Sequence, residues 1–365
     1  MKIGIITFHF PVNYGAMIQA YAMQEHLRMM GHEVYIIDYA PEYHMNTYTG
    51  KRTWRWCVFG GLRSEIPDRF FSKFFDGVRK KRNANFMSFM KKYLSLYPYT
   101  PEDEMSCFDC ILLGSDQIWN QQITNNCFDG PYYGDGFKCR VFSYAASNRS
   151  KELNAAEQQQ YREKLKQLYS IGVREVQLQK LLQPLTEKKV YLNVDPTLLA
   201  SPTVYDSLDL RNPMDGKYVV VYELANHKKV QKMAKSYAKK IGAKVVILVD
   251  KTSPLFGKRF DQIADPEKFL AYIKNAECVF TTSFHGTVLS LAFKKDFYSI
   301  RQGNSADMRL DSILSQVNMM DRFIEMDDTP TVKAISYSDV DANLDKLRAS
   351  SQWYLEHAIE GTINI

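Results

Sequence analysis

Short apolar runs alternate with helical patterns along the chain, and this order limits the fold more than any other feature of the sequence. Strand-like runs at 3–7, 34–38, 110–113 and 141–145 are interleaved with helical periodicity, the first helix spanning roughly 16–30. A strand at 170–173, a helix through Gln177, Leu178, Leu181 and Leu182, and a strand at 190–194 lead to Asp195-Pro196-Thr197-Leu198-Leu199. Strands that alternate with helices pair in parallel, because each crossover helix lets the next strand start at the same end of the sheet. After Pro202 the pattern restarts, with strands at 218–222, 244–249, near Val279 and at 297–300. Helices fall at 230–240, at 266–274, after His285 and from about Asp307. An amphipathic helix over 338–359 closes the chain, with Leu344, Leu347 and Leu355 on its apolar side. The 365 residues therefore predict an α/β protein of two Rossmann-like domains, 1–204 and 205–337, facing a cleft, with a C-terminal helix over 338–365. Clefts between domains are favoured places for small-molecule sites.

A hydrophobic content of 45% with 13% aromatic residues is that of a globular protein. No apolar run reaches the roughly 18 residues a membrane span needs, and the start, Met1-Lys2-Ile3-Gly4-Ile5-Ile6-Thr7-Phe8, reads as a first strand rather than a signal peptide. A cytoplasmic protein is the expectation. Six scattered cysteines argue against a disulfide framework, and the single C-x-x-C, Cys107 with Cys110, runs into Ile111-Leu112-Leu113 as a strand edge. No metal site and no cofactor is predicted. The net charge of +6 is concentrated: residues 51–92 hold 12 Lys or Arg against 3 Asp or Glu, a local +9 that leaves −3 for the remainder. Trp54, Trp56, Phe59, Phe70, Phe71, Phe74 and Phe75 are interleaved with Arg55, Arg63, Arg69, Lys73 and the run Arg79-Lys80-Lys81-Arg82. Such a segment suits peripheral contact with the anionic inner face of a membrane, or a polyanionic acceptor. A solvated helix face over a buried aromatic stripe is the competing reading. Nucleic acid is not expected as a partner, since the rest of the chain has no recognition motif or basic stripe.

Thr281-Thr282-Ser283-Phe284-His285-Gly286-Thr287 follows the apolar run Cys278-Val279-Phe280 and precedes a helical pattern. That order sets His285 at the carboxyl end of a strand, where open α/β sheets bind ligands, beside helix amides that favour an anion. His285 is the candidate acid and base, since imidazole exchanges protons near neutral pH. A hydrogen-bonded structural histidine is the alternative. Gly114-Ser115-Asp116-Gln117-Ile118-Trp119-Asn120, directly after a strand, is a candidate binding turn or an Asx-type turn around a packed Trp. Asn13-Tyr14-Gly15-Ala16 lies between the first strand and first helix, with too few glycines for a phosphate loop. Arg174 follows another strand and can aim its fork at carboxylate or phosphate oxygens, or pair with Glu175. Arg301 and Arg309 flank the loop 302–307.

In their order, these pieces resemble the polysaccharide pyruvyl transferase family. The residues carrying the resemblance are Asn13-Tyr14-Gly15-Ala16 with Gln19-Ala20-Tyr21-Ala22, Gly114 to Asn120, Tyr144-Ala145-Ala146-Ser147, Val173-Arg174-Glu175, Asp195-Pro196-Thr197-Leu198-Leu199 and Ser283-Phe284-His285-Gly286-Thr287. The resemblance implies an architecture like the B-type glycosyltransferases, and transfer of pyruvate from phosphoenolpyruvate to a sugar, as a ketal, on a cell-surface polysaccharide or its lipid-linked precursor. It implies His285 as the catalytic residue and Arg174, Arg309, Arg301, Ser283 and Gly286 around the donor. Of the two later arginines, Arg301 lies 16 and Arg309 lies 24 positions beyond His285. The first domain would take the acceptor, with Asn13, Tyr14, Ser115, Asp116, Gln117, Trp119 and Asn120 along the cleft, and the second the donor. Two departures stand out. Relatives often carry Arg-Leu where this chain has Ser283-Phe284, so one donor cation is missing or comes from elsewhere. After Ser147, relatives often continue Phe-Gly where this chain has Asn148-Arg149. A nucleotide-sugar glycosyltransferase of the same architecture and a noncatalytic sugar-binding protein are the rival readings.

Overall fold

The computed structural model describes residues 1–10, 12–41, 43, 68–101, 105–224, 227–249, 252 and 256–363. Lys2–Ile6 (β1) pairs in parallel with Glu33–Asp38 (β2) on one side and with Cys110–Leu113 (β4) on the other. Leu96–Pro98 (β3) and Arg140–Ser143 (β5) complete the sheet, in the order β3-β2-β1-β4-β5. The chain winds outward from β1, then starts again at β4 on the other side, so the order reverses between those two strands. Ligands of open α/β sheets bind beyond the carboxyl ends at such a reversal.

Ile171–Val173 (β6) and Val190–Leu192 (β7) form a separate parallel pair that is stitched to the first sheet through single bridges, Asp116 to Ala146 and Ala146 to Val173. The Ser147 amide donates to the Asp116 carbonyl (3.0 Å), the Arg174 amide to Ala146 (3.1 Å) and the Asn193 amide to Val173 (2.8 Å). This brings the segments at 116, 147, 174 and 193–195 together along one rim.

Six parallel strands make the second sheet: Tyr218–Glu223 (β8), Lys244–Val249 (β9), Phe260–Asp261 (β10), Cys278–Thr281 (β11), Asp296–Ile300 (β12) and Phe323–Ile324 (β13). Their order is β10-β9-β8-β11-β12-β13, with the reversal between β8 and β11. The helix that carries His285, Phe284–Ala292, follows β11 at that reversal.

The predicted strands are present, within a residue or two at their ends, while Leu96–Pro98, Phe260–Asp261 and Phe323–Ile324 are strands that the apolar runs do not predict. The first helix, Tyr14–Met29, starts two residues earlier than predicted because Asn13 caps it, its side-chain oxygen accepting from the Ala16 amide at 3.2 Å. This helix is buried on nearly all sides, since it lies between the two halves. Tyr14 stacks on Phe269 with ring centroids 4.2 Å apart and donates to the Ala264 carbonyl at 2.9 Å. The closing helix, Tyr337–Glu360, crosses back to the first half: Tyr354 donates to the Ser143 carbonyl (2.7 Å) and Arg348 to that of Leu198 (2.6 Å).

The basic aromatic segment needs a correction at Arg82. Trp54, Trp56, Phe59, Arg55 and Arg63 lie outside the described residues, as do the side chains of Arg69, Phe70, Phe71, Lys73, Phe74 and Phe75. Arg82, on the helix Asp68–Tyr93, is only 2% exposed, donates to the Val249 carbonyl at 2.6 Å and lies over the Tyr14 ring. It holds this helix against the second sheet and cannot face lipid. Among the described residues no helix is long and apolar enough to cross a membrane.

Candidate active site

Ser283 precedes the helix Phe284–Ala292, and its carbonyl accepts from both the amide and the hydroxyl of Thr287, which starts the helix directly after β11. His285 lies on the first turn, 6% exposed, its ring against Gly15 of the first half. A Cβ added at Gly15 would overlap that ring. The single glycine of Asn13-Tyr14-Gly15-Ala16 is therefore a seat for an imidazole 270 positions away in sequence, not part of a phosphate loop. On its other side, His285 Nε2 is 3.7 Å from Asp195 Oδ2, too far for a hydrogen bond, and has no hydrogen-bond partner.

Asp195 caps the short helix Pro196–Leu199, with Oδ1 accepting from the amide and hydroxyl of Thr197. Its Oδ2 accepts from Arg174 Nη1 at 2.6 Å and from the Ser115 hydroxyl at 3.3 Å. Burial works to raise this carboxyl, yet His285, Arg174 and Thr197 together hold it well below the usual carboxylate range. Arg174 also donates through Nε to Glu175 at 3.0 Å, and its Nη2 is 3.6 Å from Asp116. Burial opposes charge on Arg174, but Glu175, Asp195 and Asp116 outweigh it and keep the guanidinium protonated. For Glu175, burial prevails and raises the carboxyl despite Arg174, Ser147 and Arg309. Most of the Arg174 fork is thus committed to carboxylates; only Nη2 lacks a hydrogen bond.

Arg309, on the first turn of the helix Asp307–Gln316, is 6% exposed and shares the Phe284 ring with Arg174. The two guanidinium carbons lie 5.6 and 4.2 Å from its centroid. Among the described residues no carboxylate is within ion-pair distance of Arg309, and its Nε has no hydrogen-bond partner. Burial first, then the neighbouring charge of Arg174, push this group down to about 10, against the pull of Glu175 and Asp116. It stays protonated at neutral pH, so the shift records an uncompensated cation. Beside the two arginines is a cavity of about 140 Å³, lined also by Asn193, Asp195, Phe284, Gln316 and Ser351. Asn193 is 1% exposed and neither end of its amide has a partner.

The structure therefore brings His285, Arg174, Arg309, Ser115 and Asp116 together and leaves other predicted residues apart. Arg301 is turned away, paired with Asp311 (3.3 Å) and Glu325 (3.6 Å) and stacked over Phe323 at 3.8 Å. Gly286 is required for packing, since a Cβ there would overlap Thr281. Trp119 is fully buried, its indole donating to the Tyr132 carbonyl at 2.8 Å and stacked on Tyr133, so it cannot line a cleft. Asn120 donates to Gln117 at 3.0 Å, and both serve the turn around that Trp. Asn13 is a helix cap and Tyr14 is interior, as described above. Asp195, Gly15 and Asn193 were not predicted as site residues. An Asp-Pro pair at a helix start was the available signal for the first, while the other two depend on contacts that local sequence does not show.

The polysaccharide pyruvyl transferase family model matches residues 13–304. Curated proteins yield no match. Among solved structures, the S. aureus MnaA–UDP complex is similar at 10% identity and a TM-score of 0.48, covering 98% of this chain and 95% of that one. A UDP-N-acetylglucosamine 2-epimerase from Rickettsia bellii is 11% identical with a TM-score of 0.47, over 99% and 96% of the chains. The glycosyltransferase SnogD from Streptomyces nogalater is 11% identical with a TM-score of 0.40, over 96% and 95%. A family match across most of the chain, from Asn13 past His285 to Asn304, makes this protein a transferase of the polysaccharide pyruvyl transferase family.

Proposed function

We propose that this transferase moves pyruvate from phosphoenolpyruvate onto two hydroxyls of one sugar, in a cell-surface polysaccharide or its lipid-linked precursor, and closes a cyclic ketal. The observation that carries the reading is the set of buried nitrogens without hydrogen bonds: His285 Nε2, Arg174 Nη2 and Arg309 Nε. Buried donors are left unsatisfied only at a cost of about 1–3 kcal/mol each, so a cluster of them marks a place for a ligand rich in acceptors. Phosphoenolpyruvate bears a carboxylate and a phosphate on one carbon and meets that demand.

The chemistry follows from the groups available. A proton adds to the methylene carbon of the donor while a sugar hydroxyl adds to the neighbouring carbon and gives up its own proton. The C–O bond to phosphate then breaks and phosphate leaves with the bonding pair. A second hydroxyl of the sugar adds to the same carbon and loses its proton. His285 is the group suited to give and take these protons, and Asp195 Oδ2 lies 3.7 Å from its Nε2. Arg309 and the free edge of Arg174 neutralise the phosphate as it departs. Ser115 and Asp116, just after β4, are the residues this reading gives to the acceptor side.

The test is phosphate release from phosphoenolpyruvate in the presence of candidate glycans. His285→Gln, with folding checked by circular dichroism, is expected to lower kcat by about 100- to 10,000-fold. Turnover near the wild-type value in that variant removes His285 from the mechanism. A nucleotide sugar consumed where phosphoenolpyruvate is not would favour the glycosyltransferase reading instead.

A further inference from the structure

Asn193 follows β7, and its backbone is held from two directions. Its own amide donates to the Val173 carbonyl at 2.8 Å, while the Val194 amide donates to the Ser351 hydroxyl of the closing helix at 3.0 Å and the Val194 carbonyl accepts from Tyr144 at 3.0 Å. The side chain is fully buried, yet neither Oδ1 nor Nδ2 has a hydrogen-bond partner. Leaving a buried amide unpaired lowers stability, so this side chain is not a brace for the fold. A Cβ added at Gly172 would overlap Oδ1. The glycine in β6 therefore leaves room for this amide, and with Oδ1 turned to β6 the Nδ2 end is the one left for the cavity that Asn193 lines.

That cavity, of about 140 Å³, is also lined by Arg174, Arg309 and Asp195 and by the apolar Leu198, Ile313 and Leu347. A single water needs only about 10–15 Å³, so the space suits a group of several atoms. Asn193 Nδ2, Arg174 Nη2 and Arg309 Nε are all buried without hydrogen bonds, on three residues that line this one space. Its charge is small: two guanidinium groups stand against Asp195, and Glu175 and Asp116, which also face Arg174, offset it further. Such a lining matches one carboxylate and not a phosphate with a carboxylate together. We infer that Asn193 is a further donor-binding residue, whose Nδ2 donates to the carboxylate of phosphoenolpyruvate. The inference rests on the donor reading above and names the end of the donor that this cavity takes. Apolar walls keep water from that contact and strengthen it. Arg309 has five N–H groups and no carboxylate within ion-pair distance among the described residues, so it can serve the carboxylate on one edge and the phosphate on another. Asp195, which lines the cavity, is also the carboxylate 3.7 Å from His285 Nε2, so the cavity adjoins the imidazole.

Calorimetric titration of the full chain with phosphoenolpyruvate, pyruvate and inorganic phosphate tests it, on wild type, Asn193→Leu and Asn193→Ala, with folding checked by circular dichroism. Asn193→Leu keeps nearly the native size, and Asn193→Ala asks nothing new of the packing, so one variant stands in where the other does not fold. Both are expected to bind phosphoenolpyruvate about 10- to 100-fold more weakly, the range for a lost hydrogen bond to a charged group. Pyruvate, which keeps the carboxylate, is expected to weaken as much. Inorganic phosphate, which lacks it, is expected to bind variant and wild type alike. Phosphoenolpyruvate binding undiminished in the folded variant, or phosphate weakened as much as phosphoenolpyruvate, overturns the assignment of Asn193. Failure of the wild-type chain to bind phosphoenolpyruvate overturns the donor reading itself, so the two failures are told apart.

Discussion

Arg174 and Arg309 lie on the same Phe284 ring, yet the two rims that supply them are built in opposite ways. On the first rim, Arg174 is fixed by Asp195 and Glu175, and the carboxylates are fixed in turn by Thr197, Ser115 and Ser147. On the second, Arg309 Nε and His285 Nε2 are buried without a hydrogen bond. Paired buried charges hold one geometry, because removing either partner strands the other. Unpaired ones lower stability and are retained where a ligand completes them. In the proposed reading the first rim positions its groups, and the second, with the free edge of Arg174, meets the ligand.

Breaking the paired rim is expected to have the larger effect. Asp195→Asn leaves Arg174 without its shortest carboxylate contact and is expected to cost about 3–5 kcal/mol at pH 7, read from denaturant midpoints. The Asp195 carboxyl is held below the usual range when folded, so its contribution is complete above the unfolded pKa and is lost as pH falls through the folded one. The stability gap between wild type and variant should therefore be unchanged from pH 7 to pH 5 and close only below about pH 4. Equal midpoints at pH 7 would mean that the rim is not held by this pair. Disturbing the unpaired rim is expected to do less to stability and more to turnover. Gly15→Ala pushes a methyl group into the His285 ring and should lower kcat by about 100-fold, with the fold retained in circular dichroism. Unaltered kcat in that variant would show that the seat of the imidazole is not critical.

Much of this was legible in the sequence, and the division follows physical range. Strands, their parallel pairing and the placement of His285 after β11 depend on local periodicity, which apolar spacing displays directly. Trp119 and Arg301 were misplaced because exposure of a loop residue depends on what packs over it. The Trp indole found Tyr132 and Tyr133, and Arg301 found Asp311, Glu325 and Phe323. Arg309 could not be separated from Arg301 by spacing, since the turn at 302–306 decides which one faces Phe284. Gly15 against His285 joins residues 270 positions apart, and no local pattern encodes that contact.

The central claim is that buried nitrogens without hydrogen bonds, from both halves of the chain, close around one three-carbon donor that carries a phosphate and a carboxylate. Crystals soaked with phosphoenolpyruvate test it most directly. The account predicts donor oxygens within hydrogen-bond distance of Arg309 Nε and Arg174 Nη2, with His285 Nε2 about 3 Å from the reacting atoms or one water removed. Donor density elsewhere, with those three nitrogens still without hydrogen bonds, would contradict it.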